Sequence, residues 1–373
     1  MRAVSCMEKA VKGAERKLRI LAVADPAVQG YPREKILENA PVPCSMDILP
    51  WKEYYPAMME SFQGRRDYDI VMVAGHLWLK ELVDQGFLAP VDEPEADLLP
   101  GLRHDLCYEN TWYLVPSFFD GHIIVYRREL AETLWPLVMS PQEYMQRLEK
   151  LYASGKREFL AIKADTSEIF TDALPFLRMD GGDAYDQNGR VVCSTAEAVQ
   201  GLQAYCRLKK YALPGTDSFG NEEVMRALLE KKALVAITWS GQLGLLGSRA
   251  AEFGFSVLTT GWNTVWSFGI NRRSDAVPQC RQLLRYLSSA AVDRRVSIRS
   301  GTPLHAGFYA PPLYPWCEAQ QRMTELARAL PYISRAGEKN AVFYGRIAQA
   351  FAGRISPKEA MQQAEAQLRS LQD

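Results

Sequence analysis

Aromatic and acidic side chains meet where this chain turns. In PSFFDGHIIVYRREL, residues 116–130, Phe118, Phe119 and Asp120 stand between two extended runs, TWYLV and HIIVY. β-Branched and aromatic runs of this kind read as strands, so the segment between them reads as a crossover between two lobes. Its side chains would then lie at the bottom of a cleft, where soluble proteins most often hold small ligands. Asp25 closes the apolar run LRILAVAD, and His76 and Trp78 stand in GHLW. Trp239 ends ALVAITWS, Trp262 and Trp266 flank a turn, and His305 and Tyr309 lie in GTPLHAGFY. Most of these have a plainer reading too: Asp25 as a turn or cap residue, His76 as a solvated loop residue, Trp78 as packing beneath its helix, Phe118 and Phe119 as filling between lobes. Asp165 and Glu168 equally fit the N-cap and capping-box positions of a helix. Asp120 has no basic neighbour in sequence, which favours a ligand role.

Bond-making chemistry would need a constellation that the sequence does not display. It contains no GxSxG, P-loop, GxGxxG or HExxH pattern. The four His, at 76, 104, 122 and 305, are scattered. The seven Cys, at 6, 44, 107, 193, 206, 280 and 317, form no CxxC pair and read as free thiols. Tyr54 and Tyr55 would suit a metal, but they fall inside an amphipathic helical pattern that packing explains better. Two carboxylates at glycosidase separation are not visible in sequence. The expectation is therefore binding without catalysis, cofactor or metal.

The elements that must position these residues alternate. Strands are expected at 18–25, 44–50 and 67–75, with helices near 32–39, 52–62 and 77–86 between them. This is the β-α-β order of a parallel sheet, whose ligands sit at the carboxyl edge of its strands. Further on, strands fit 157–164, 233–240, 253–261 and 264–273, helices fit 141–153, 168–178, 195–210 and 221–231, and a small Asn-Gly hairpin fits 181–192. Helices follow at 275–289 and 291–299, and the tail 318–371 reads as helical throughout. A length of 373 residues suits two lobes. Lys plus Arg equals Asp plus Glu, at 44 each, which gives no footing for a nucleic-acid or membrane-surface partner. The opening MRAVSCMEKAVKGAERKLRILAVAD lacks the apolar core of a secretory signal, and Cys6 follows too few residues to be a lipobox cysteine. As it stands, it leaves a cytoplasmic location open.

Six segments resemble, in order, the extracellular solute-binding proteins of ABC importers, the sugar-binding group that includes the maltose-binding protein. They are YDIVMVAGHLWLKELVDQGFLAPVDE, YLVPSFFDGHIIVYRRELAE, FLRMDGGDAYDQNGRVVCSTAEAVQGLQAY, LLEKKALVAITWSGQLG, WSFGINRRSD and AFAGRISPKEAMQQAEAQL. The resemblance implies a two-lobed periplasmic-binding-protein-like α/β fold, each lobe a sheet flanked by helices. Lobe one would be 1–117 plus 241–303 and lobe two 120–238 plus 304–373, with hinge crossings near 117–120, 238–241 and 301–306. It further implies a monomer outside the cytoplasm that closes on a mono- or oligosaccharide and docks on the permease subunits of the importer. In that frame Trp239 and Trp266 stack on the ligand and Asp120 accepts from its hydroxyls, with Asp25, His76, Trp78, Phe118, Phe119, His305 and Tyr309 completing the site. A soluble sensor on the same fold, or a metal, polyamine or amino-acid ligand, remains an open alternative.

Overall fold

The apolar runs become neighbours in one mixed sheet. The computed structural model describes residues 16–94, 97–130 and 135–371. Leu18–Val23 pairs in parallel with Cys44–Leu49 on one side and with Ile70–Ala74 on the other, as the alternation predicts. The sheet then departs from the all-parallel expectation. Asn263–Asn271 lies antiparallel against Ile70–Ala74, and Leu114–Arg127 lies antiparallel against Asn263–Asn271. Val235–Trp239 pairs with the far half of Leu114–Arg127, and Leu160–Ala161 pairs with it in turn. The expected strand 157–164 is reduced to those two residues.

The two strands expected around PSFFDGH are one buried strand of 14 residues, Leu114–Arg127. Pro116 has no N–H to give the ladder, and the register slips at that point: Trp266 faces Phe118 while Ser267 faces Pro116. The slip is a β-bulge, one of the few places a sheet accepts proline. The extra residue, Ser117, meets the Tyr31 hydroxyl at 2.9 Å. The Asp-Gly step is not a turn either. A Cβ at Gly121 would stand 2.2 Å from the Met323 sulfur, so glycine is there for close approach.

This strand serves both halves of the molecule. Its first half pairs with Asn263–Gly269 through residues 114–121. Its second half pairs with Val235–Trp239 at one edge and with Phe253–Ser256 at the other. The segment 253–258, placed in lobe one by sequence, thus belongs with the second half, and the chain changes halves between Leu258 and Asn263 rather than at 238–241. The crossing expected at 301–306 also moves. Leu304 and His305 donate their backbone N–H groups to Asp293, and Leu99 N–H donates to Leu304 O, which ties that loop to the first half. The chain passes over later, where Arg328 N–H donates to Gly261 O at 3.2 Å. The tail is helical at Cys317–Leu326, Ala336–Phe351 and Pro357–Ser370, broken between the first two where it crosses. Phe343 then stacks on Phe170 at 4.6 Å, which fixes the tail helices to the second half. Tyr185 and Val191 form the bridge of the expected Asn-Gly hairpin, and Gly189 takes a positive φ of 75° there. No helix among the described residues is long and apolar enough to cross a membrane. Cys6 lies outside the described residues; the other six Cys are free thiols.

Helix Gly75–Asp84 carries His76 and begins against the segment 104–106. A Cβ at Gly75 would stand 2.1 Å from the Asp105 carbonyl oxygen, and Asp105 in turn accepts the Val265 N–H at 3.1 Å. Gly75→Ala is expected to lower stability by about 1–3 kcal/mol through this overpacking. Thermal denaturation checks it: an unchanged midpoint would mean the two segments are not in contact.

Candidate ligand-binding cleft

The carboxyl ends of Leu18–Val23 and Ile70–Ala74 open onto a cavity of about 190 Å³ at the middle of the long strand. Six of the residues singled out from sequence line it: Asp25, His76, Phe118, Asp120, Trp239 and Trp266. Trp78 lines a wider adjoining cavity of about 680 Å³. Trp51, Leu77, Ser167 and Tyr344 belong to both, so the two form one cleft. Three singled-out residues fall elsewhere. Phe119 is fully buried, because successive strand residues point to opposite faces. His305 pairs through Nδ1 with Asp293 at 2.8 Å, and the Tyr309 hydroxyl donates to Pro303 O at 2.8 Å, both inside the core. Trp51, Trp262, Glu168 and Tyr344 join the wall although sequence reasoning set them aside or passed over them. The adjacency of Trp262 to Trp266 was a usable signal; Trp51, just ahead of the helix expected at 52–62, carried none.

The aromatic wall is cross-braced. Trp266 stacks on Phe118 with centroids 6.2 Å apart, and Trp51 meets Trp266 edge-on at 5.9 Å. Trp239 packs on His122 at 4.2 Å and edge-on to Trp262 at 5.6 Å. Its indole N–H donates to Glu168 Oε2 at 2.9 Å, which fixes the ring plane, and the Trp262 N–H donates to Thr171 O at 3.3 Å. Behind Trp239 the fully buried Lys163 places its ammonium 4.0 Å from the ring centroid. That charge is held by Asp172 at 3.0 Å, which also takes His122 Nε2 at 2.6 Å. Glu168 heads helix Ile169–Leu177 without capping it through its side chain, since its carboxylate is engaged by Trp239. Asp165 instead closes a local turn with the Ser167 N–H at 2.9 Å.

The carboxylates differ in environment. Asp120 Oδ1 accepts the Gly241 N–H at 2.6 Å and the Ser240 hydroxyl at 3.4 Å, so one oxygen anchors the chain just after Trp239. Burial, then the charge of Asp25, push the Asp120 carboxyl well above the usual carboxylate range, opposed by the Gly241 N–H and by Lys163. Lys163 is the basic neighbour that the sequence did not reveal. Asp25 accepts the Ala27 N–H at 2.8 Å, so its turn role and its place on the wall coexist. It is half-buried, and burial pushes its pKa up to about 7 against the Ala27 N–H. Burial also raises Glu168, against Lys163 and Trp239. For Asp172 burial pulls upward, but Lys163 and His122 together more than offset it and hold it below its ordinary value. His76 is lowered to about 4 by burial, so it is neutral at physiological pH, and it shares a hydrogen bond with the Thr264 hydroxyl. Asn221 Oδ1 on the same wall has no hydrogen-bond partner among the described residues. Such a wall can stack flat apolar faces and accept hydrogen bonds.

Asp25 titrates with a defined sign. Its folded pKa of about 7 lies above the unfolded value of about 3.9, so the folded state holds the proton more tightly and stability falls as pH rises between the two. Asp25→Asn cannot ionise, so the variant is expected to melt above the wild type near about pH 8, with the gap shrinking toward about pH 4. Melting curves across that range check it; a gap independent of pH would assign the titration to another group.

The family model described as bacterial extracellular solute-binding protein matches residues 53–293. Among solved structures, maltose-bound MalE3 of T. maritima superposes with a TM-score of 0.81 at 20% identity, over 95% of this chain and 99% of that one. A solute-binding protein of Agrobacterium radiobacter K84 in complex with ribitol gives 0.81 at 17% identity, over 95% and 98%. The GacH receptor of Streptomyces glaucescens gives 0.77 at 18% identity, over 96% and 99%. These likenesses establish the two-lobed binding-protein fold, and the chain belongs to the bacterial extracellular solute-binding protein family.

Proposed function

We propose that this protein binds a small carbohydrate or polyol in the cleft, without chemistry, and delivers it to the permease of an ABC importer outside the cytoplasm. The observation that carries the reading is convergence. Asp25, His76, Phe118, Asp120, Trp239 and Trp266 come from five separated segments and face one cavity. Ring faces for stacking next to carboxylates that accept from hydroxyls are what a sugar requires. Similar structures carry maltose, D-mannitol, ribitol and alpha-D-tagatose, which supports the ligand class. Delivery would use lobe closure, a hinge motion in which ligand contacts favour the closed state. The hinge would comprise the middle of Leu114–Arg127, residues 259–262, and the break between Leu326 and Ala336. A monomer suffices for this, since both walls of the cleft come from one chain.

The test is calorimetry over a panel of sugars, polyols, amino acids, polyamines and metal ions. Heat from a sugar or polyol is expected. Silence there, with heat from an amino acid or a metal, defeats the reading. Within the site, Trp51 is the cleanest probe because it is 46% exposed and supports little of the core. Trp51→Ala should weaken binding about ten- to a hundredfold, the equivalent of about 1–3 kcal/mol, with an unchanged melting temperature. Trp239→Ala should weaken binding and also lower the melting temperature, because it removes the partner of Glu168 and uncovers Lys163. Wild-type affinity in both variants would remove the aromatic wall from the site.

A further inference from the structure

The inner cavity is rich in carboxyl groups and holds no cationic side chain among the described residues, its remaining donors being Asn221 and the indole N–H groups of Trp51 and Trp266. Carboxylates of Asp25, Asp120 and Glu168 line it, and among the described residues no Lys or Arg does. The nearest cation, Lys163, stands behind the Trp239 ring and is shared between Asp172 at 3.0 Å and Glu168 at 3.8 Å. The indole N–H groups of Trp239 and Trp262 are already engaged by Glu168 and Thr171. The outer cavity is different in kind: Lys52 and Arg335 accompany Glu81 and Glu338 there, so both signs of charge are present.

A sugar hydroxyl donates and accepts, whereas an ammonium donates through up to three N–H groups and accepts nothing. An acceptor-rich wall is therefore matched better by a ligand that carries an ammonium than by hydroxyls alone. Charge-assisted hydrogen bonds to carboxylates are the stronger kind, and indole faces attract cations. Burying these groups as charged carboxylates around one shared lysine is unfavourable, which is why Asp25 and Asp120 favour their protonated forms in the empty cleft, and an arriving positive charge removes that cost.

We propose that the inner cavity takes a carbohydrate or polyol bearing a protonated amine, with the ammonium held by Asp25 and Asp120 and the ring against the tryptophan faces. The proposal rests on the carbohydrate reading above and narrows it. The charged and titratable groups that face this point are Asp25, Asp120, Glu168 and Tyr344 on the wall, His76 beside them, and Lys163 behind Trp239. In the empty cleft burial holds a proton on Asp25 up to about pH 7, and burial with the charge of Asp25 pushes the Asp120 carboxyl well above the usual carboxylate range. An arriving cation draws those protons off, so binding should release protons and tighten as pH rises toward about 7.

The test is calorimetry on the full chain at about pH 7, in two buffers of different ionisation enthalpy, with D-glucosamine, D-glucose, N-acetyl-D-glucosamine and spermidine as probes. D-glucosamine is expected to bind at least about tenfold tighter than D-glucose or the N-acetyl sugar, with measurable proton release. In Asp25→Asn and Asp120→Asn that preference should collapse toward one, even though both variants also lose affinity for glucose. Circular dichroism melts establish that the variants fold. If glucose binds as well as glucosamine, or if folded variants keep the preference, the amine proposal is overturned and the carbohydrate reading stands. If spermidine gives heat while all three sugars stay silent, or if no probe gives heat, the amine proposal is overturned, and the wider sugar and polyol panel alone decides the carbohydrate reading.

Discussion

The constraint on which the molecule depends is that both halves hydrogen-bond to one strand. Every backbone N–H and C=O of a buried strand must find a partner, and Leu114–Arg127 is buried along its whole length. One of its edges is filled by two successive segments, Phe253–Ser256 and then Asn263–Gly269, with the ladder interrupted between them. The other edge is filled by Val235–Trp239 along the second half only. The pairing lapses at residues 259–262, and Arg328 crosses beside Gly261, so bending between the halves would be absorbed there. The bulge at Pro116 and the bare backbone at Gly121 bracket Phe118 and Asp120, so the irregularities of the strand fall on either side of its contribution to the cleft.

A second dependence runs through Lys163. An unpaired ammonium at zero exposure would be costly, and Asp172 at 3.0 Å is what makes it tolerable. The pair is weak evidence for stability in itself. Its consequence is geometric. Lys163 covers one face of Trp239, His122 packs on the ring as well, and Glu168 holds the indole N–H. The ring is thereby fixed before any ligand arrives, and less rotamer freedom is left to lose on binding.

How much of this was legible in the sequence depended on whether the signal was local. The family and the α/β class were legible because six segments occur in order. Asp25 and His76 were legible because they follow strand ends, where open sheets bind ligands, whereas Phe118 and Asp120 were reached through a presumed crossover and Trp239 and Trp266 through the family resemblance. The direction of pairing was not, since a buried apolar run such as WSFGIN reads alike in parallel and antiparallel sheets. The crossings drawn from the resemblance at 238–241 and 301–306 differ from the observed pairing, and only the pairing of Phe253–Ser256 with Ile124–Arg127 reveals that the chain stays in the second half past Trp239. Glu168 was hidden by its position at a helix start, which satisfies a capping pattern whether or not a distant tryptophan claims the carboxylate. His305 stood in a loop that reads as exposed, and Asp293 on a preceding helix draws it inward.

The cleft departs from local consistency in one respect, and the departure has a meaning. As carboxylates Asp25 and Asp120 would repel each other across a partly desolvated wall, which favours their protonated forms, and the nearby Lys163 is committed to Asp172. Proteins keep unfavourable burial of this kind mainly where function uses it. The alternation of the long strand then joins recognition to architecture. Phe118, Asp120 and His122 are spaced by two and so share one face: a stacking ring and an acceptor on the wall, and a prop under Trp239. Phe119 points the other way into the core. The strand that both halves need for their backbone hydrogen bonds therefore also sets the spacing of the groups a ligand would meet, and a shift of one half against the other along it moves those groups relative to the opposite wall.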